Sequence, residues 1–141
     1  MNKEQLCEAF CGEITVRSVP AGWAVSTAFN SMNGDPLGFY ITGPDVSGKY
    51  HIEDDGASIA FIEASGADLK NKTRLEAFNE LLNEYNINYD EDTGELVTEP
   101  LAENQIPKQA IRFIAFLLRA TAPPLSPNKP GFPSRIASRI R

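Results

Sequence analysis

Between Ile14 and Glu53 the chain alternates apolar and polar residues in four successive runs, each closed by turn-forming residues. Ile14 to Val19 is the first run, and Pro20-Ala-Gly22 turns the chain into Trp23 to Asn30. There Trp23, Val25, Thr27 and Phe29 fall on one face, with Ala24, Ser26 and Ala28 on the other. Asn33-Gly-Asp-Pro36 leads to Leu37–Thr42, and Gly43-Pro-Asp with Ser47-Gly48 leads to Lys49–Glu53. Period-two patterning interrupted by such residues predicts an antiparallel meander with one buried face. A sheet of that kind needs helices to cover it.

The helical patterns lie on either side of the meander. Lys3 to Cys11 follows Asn2, which stands at capping-box spacing from Gln5, and Gly12 ends it. Ala57 to Ala64 is short and apolar; Thr73 to Tyr85, opened by Thr73 with Glu76 three residues on, carries the stripe Leu75, Phe78, Leu82 and Tyr85. Ile87–Tyr89 and Glu95–Thr98 read as a small separate hairpin around Asp92-Thr-Gly94. Pro107 opens the last helix, which runs to about Ala120. Phe113 and Phe116 fall outside its Ile111, Ile114, Leu118 stripe, so it is apolar nearly all round. Such a helix is central to a core or shared with a second copy, and Phe113, Phe116 and Leu117 are its candidate homodimer contacts. The expected fold is α+β: an antiparallel four-stranded sheet, plus the small hairpin, packed with three to four helices on one face.

A chain of 141 residues suits one such domain, placed at 1–122. After it comes a proline-rich basic tail, 123–141, whose prolines oppose regular structure. All nineteen acids and nine of the thirteen bases precede Pro124; the tail carries Lys129, Arg135, Arg139 and Arg141 and no acid. An acidic body repels nucleic-acid phosphates, so any nucleic-acid contact is expected of the tail alone, through Arg135, Arg139 and Arg141. No apolar run approaches the roughly 20 residues a membrane span needs. The first residues carry glutamates where a secretory signal carries an apolar stretch, so the expected compartment is the cytoplasm. Cys7 and Cys11 share a helix face, stand too far apart to bridge, and lack the histidines of a zinc site. They are expected to be small buried hydrophobes. No metal or other cofactor is implied.

Chemistry, if any, belongs to Lys49-Tyr-His-Ile-Glu-Asp-Asp-Gly56. His51 and Glu53 share the face opposite Ile52, so Glu53, Asp54, Asp55 and His51 could converge on a magnesium-type ion and hydrolyse by an activated water. A structural role asks for less. Asp55 would accept from the first-turn amides of the Ala57 helix, Gly56 would ease the turn, and Asp54 would face water. His51 is the only histidine, and no serine stands in a nucleophile elbow. Asp90-Glu-Asp-Thr-Gly94 begins like a calcium loop, but the twelfth position is Leu101, so it is expected to be a turn. Trp23, Tyr40, Ala24, Ser26 and Ala28 offer a shallow floor for a partner's helix or strand, provided the second sheet face is open.

The order Asp35-Pro-Leu-Gly-Phe-Tyr-Ile, then Lys49 to Gly56, then Ile59 to Gly66, Lys72-Thr-Arg-Leu75 and Tyr85-Asn-Ile87 resembles a bacterial and phage domain of unknown function, number 1828 in its series. The resemblance spans Asp35 to Ala120. It implies an α+β domain carried by bacteria, phages or mobile elements and supplies no reaction. Small acidic proteins of such origin often act by binding a host or rival protein, as inhibitors or accessory factors in phage–host conflict. A non-enzymatic protein-binding module is therefore the leading expectation. A metal-dependent hydrolase or nuclease on Glu53, Asp54 and Asp55 is the alternative, and a DNA-associated regulator using the tail is another.

Overall fold

The computed structural model describes residues 1–30, 34–64 and 69–121. In chain order the elements are α1 (Lys3–Gly12), β1 (Thr15–Val19), β2 (Gly22–Asn30), β3 (Pro36–Thr42), β4 (His51–Glu53), α2 (Ala57–Ala64), α3 (Lys72–Tyr85), β5 (Ile87–Tyr89), β6 (Leu96–Thr98), a 3₁₀ turn (Glu103–Gln105) and α4 (Ile106–Ala120). The tail, with Arg135, Arg139 and Arg141, lies outside the described residues. Among the described residues no helix is long and apolar enough to cross a membrane.

The meander forms as its alternation requires, with Val16 opposite Val25, Val25 opposite Phe39, and Ile41 opposite Ile52. Gly22 stands where β2 comes close to β3: a Cβ there would lie 2.0 Å from the Ile41 carbonyl oxygen. The sheet is larger than four strands. The hairpin expected to stand apart joins it, and the order is β1-β2-β3-β4-β6-β5, antiparallel throughout. Side chains and backbone together splice the two parts. Thr98 Oγ1 accepts from Ile52 N at 3.0 Å, the Asp54 carboxylate accepts from Leu96 N at 2.9 Å, and Tyr50 and Leu101 exchange backbone bonds at 2.8 Å. The would-be calcium loop is a turn, with Asp90 Oδ1 accepting from Asp92 N at 2.9 Å and Thr93 N at 3.3 Å.

The core lies on one face of this sheet. Val25, Leu37, Phe39, Ile52, Ile87 and Leu96 meet Ile59 and Ile62 of α2, Phe78 and Leu82 of α3, and Phe113, Ile114, Phe116 and Leu117 of α4. Phe113 packs its ring on Phe39, and Phe116 packs on Phe78 and Tyr85. Phe113, Phe116 and Leu117 are fully buried, so they are core residues and not an outer dimer face. Ile111 and Leu118 are the large hydrophobic residues that α4 exposes. The last carbonyls of α3 are satisfied from α4: Gln109 Nε2 donates to Tyr85 O at 2.9 Å and Arg112 donates to Glu84 O. Asn71 caps α3 by accepting from Arg74 N at 3.2 Å, so the helix starts one residue before Thr73.

Helix α1 stands outside the core. Its expected capping box is present, with Gln5 N to Asn2 Oδ1 and Asn2 N to Gln5 Oε1 both 2.9 Å. Yet none of its residues is buried, and its ring contact with the sheet is Phe10 on Phe29. Cys7 and Cys11, expected inside, are therefore exposed free thiols.

Candidate binding face

The helices that build the core lie on one side of the sheet, and among the described residues no helix covers the other face. Thr15, Arg17, Ala24, Ser26, Gly38, Tyr40, His51, Glu53, Asn88 and Val97 point to it by strand alternation, and none is buried. One row crosses all six strands in register: Arg17, Ala24, Tyr40, Glu53, Val97, Asn88. The next row toward the α2 end is Thr15, Ser26, Gly38. The small residues Ala24, Ser26 and Gly38 floor a depression of 470 Å³, with Thr15 and Arg17 on one wall and Tyr40, Asp54 and Asp55 on the other. Arg17 makes no ion pair or side-chain hydrogen bond with the described residues. The trough thus has a cationic wall and an anionic wall. Trp23, expected beside Tyr40, projects on the opposite face, where it stacks on Tyr50 at 6.3 Å.

The two aspartates exchange the roles expected of them. Asp54 is buried, and its carboxylate accepts three backbone N–H bonds: Gly56 at 3.0 Å, Ser58 at 3.1 Å and Leu96 at 2.9 Å. It caps α2 and splices β6 to β4 at once. Asp55 is exposed and left-handed, with φ 57°, followed by Gly56 at φ 89°. The reason is reach. A cap needs the residue that leaves the strand still aimed at the helix amides, and the left-handed turn at Asp55 carries its own side chain away from them.

For catalysis the arrangement is poor. The Asp54 oxygens already hold three donors, and among the described residues no three of His, Cys, Asp and Glu gather as metal ligands. His51 Nδ1 donates to the Thr98 carbonyl at 3.0 Å, which ties the ring to β6. Glu53 lies on the open face, where partial burial, and then the nearby Glu95 carboxylate, push its pKa above the usual glutamate value. A second depression, of 530 Å³, lies between Asn86, Glu99, Asn104, Gln105 and Lys108, at the end of α3 and the start of α4.

The family description "domain of unknown function DUF1828" matches residues 27–120, from within β2 to the end of α4. The chain belongs to this family. No curated protein matches the chain, and no solved structure matches it. In this DUF1828 protein the match covers the trough's floor from Gly38 and its acidic wall; Thr15, Arg17, Ala24 and Ser26 precede it. Sequence reading passed over Arg17, although a signal was there. The two-residue turn at Pro20-Ala21 fixes Arg17 opposite Ala24, and hence on the face of the small residues.

Proposed function

We propose that this DUF1828 protein is a non-enzymatic protein-binding module that meets its partner on the open sheet face. The observation that carries the proposal is the trough itself: a floor of Ala24, Ser26 and Gly38 between unpaired Arg17 and the Asp54–Asp55 turn. A floor of small side chains lets a partner's backbone approach closely, and walls of opposite charge orient it. The trough's shallow, open form suits a protein surface better than a small molecule, which asks for a deep and mostly apolar cleft. The expected setting is the cytoplasm of a bacterium or of a phage-infected host, with a host or rival protein as the partner.

The hydrolase reading draws no support from the site, because its central carboxylate is committed to backbone amides. Affinity capture from the source cells, comparing the natural chain with Ser26→Arg, tests the proposal. Ser26 is half-buried on the trough floor, so arginine fills the depression without entering the core. The expected result is a partner held by the natural chain and lost with the variant. Equal retention by both would remove the open face from the account.

A further inference from the structure

The sheet ends on one side at β1, and among the described residues no strand pairs with its outer side. Thr15 to Ser18 are exposed, with Val16 at 60%. The opposite edge, β5, is shorter and begins with the buried Ile87. Edge strands left bare in this way are templates for another strand unless charge, proline or a bulge blocks them. Here the one charge is Arg17, at the centre of the strand.

The register shows which backbone groups β1 offers. Gly43 N donates to Ala21 O at 3.2 Å across the β2–β3 ladder, beside the pair Gly22–Thr42. Gly22 therefore turns its own N–H and C=O toward β1, where it meets Val19. By alternation Val19, Arg17 and Thr15 spend their backbone groups on β2, whereas Val16 and Ser18 point theirs outward. We propose that an extended segment of a partner protein adds to β1 as a seventh strand, exchanging main-chain hydrogen bonds with Val16 and Ser18 and placing a carboxylate side chain opposite Arg17. This rests on the protein-binding reading above and names the partner's chemistry.

A second copy of the chain fits the edge badly. Antiparallel self-pairing centred on Arg17 sets Arg17 against its own copy. Centring on Val16 calls on Ile14 N–H, which already donates to Cys11 O at 3.1 Å. Centring on Ser18 brings in Pro20, which has no N–H. A foreign strand with an acid between two apolar residues meets none of these obstacles. Its acid pairs with Arg17 on the trough side, and its flanking residues lie beside Val16, on the side where Trp23 is partly exposed.

The test is an amide-resolved NMR titration of the full chain with the capped heptapeptide Gly-Thr-Val-Glu-Val-Thr-Gly and its counterpart with lysine in place of glutamate. The Glu peptide is expected to shift the amides of Val16 and Ser18 and slow their hydrogen exchange. It should bind about tenfold more tightly than the Lys peptide, with the order reversed in Arg17→Glu. Val16→Pro removes one outward N–H and no β1–β2 bond, so it should abolish these effects. A Glu peptide N-methylated at both valines, expected not to bind, gives the same reading without altering the protein. The proposal is overturned if Val16 and Ser18 do not respond, if the methylated peptide binds equally, or if the peptide-free chain dimerises through β1. Should the peptides fail while a cellular partner is still lost with Ser26→Arg, the binding module stands and strand addition falls.

Discussion

Asp54 concentrates more backbone hydrogen bonding than any other side chain around the β4–α2 turn, and its neighbours show why position alone misleads. Replacing Asp54 with alanine strands three amides, two of them at a helix start, and is expected to cost about 3–5 kcal/mol in urea unfolding. Asp54→Asn keeps one acceptor and should lose roughly half as much. Asp55→Gly should gain about 0.5–1 kcal/mol, since glycine adopts the left-handed dihedrals without a Cβ penalty. Were Asp55 the cap, the two residues would respond in the reverse order. Glu53 gives a pH signature. Its raised pKa means that the folded state favours the protonated form, so its contribution to stability is full below the unfolded pKa and lost as pH rises through the folded one. Glu53→Gln should therefore be more stable than the natural chain at neutral pH, with the difference closing toward pH 4, as followed by thermal unfolding across that range.

Among the elements, α4 is legible in outline, while its orientation is left open by the sequence. Pro107 and the run from Ile111 to Leu118 reveal a helix, but an all-round apolar pattern does not say which side faces the sheet. Gln109 and Arg112 decide it, because they reach the end of α3 and so turn Phe113 and Leu117 onto the sheet. Phe113→Ala is expected to destabilise by about 3–5 kcal/mol and leave the oligomeric state unchanged in sedimentation. A dimer lost in that variant while the monomer stays folded would contradict its core role. Helix α1 shows the converse: Asn2 and Gln5 announced its start accurately, yet capping is local chemistry and carries no information about docking. Its exposed cysteines follow from that. The hairpin's union with the sheet was also hidden, because backbone pairing of Tyr50 with Leu101 and the Asp54 and Thr98 side chains join residues more than forty positions apart.

At the scale of the whole molecule, the alternation from Ile14 to Glu53 already said that one sheet face is buried and the other polar. What it did not contain was where the helices would end, and so whether α1 would close the second face. With α2, α3 and α4 all committed to the core side, the described residues leave the polar face open from β1 to β5. Its part beside β1 is floored by the small residues Ala24, Ser26 and Gly38, and there Arg17 faces the aspartate turn. The most direct measurement of the account is retention of a cellular partner by the natural chain and by Ser26→Arg, with both proteins shown to unfold at the same temperature. Loss of the partner with the fold intact is the predicted result. Retention undiminished by the arginine would contradict the claim that this DUF1828 protein binds through its open sheet face.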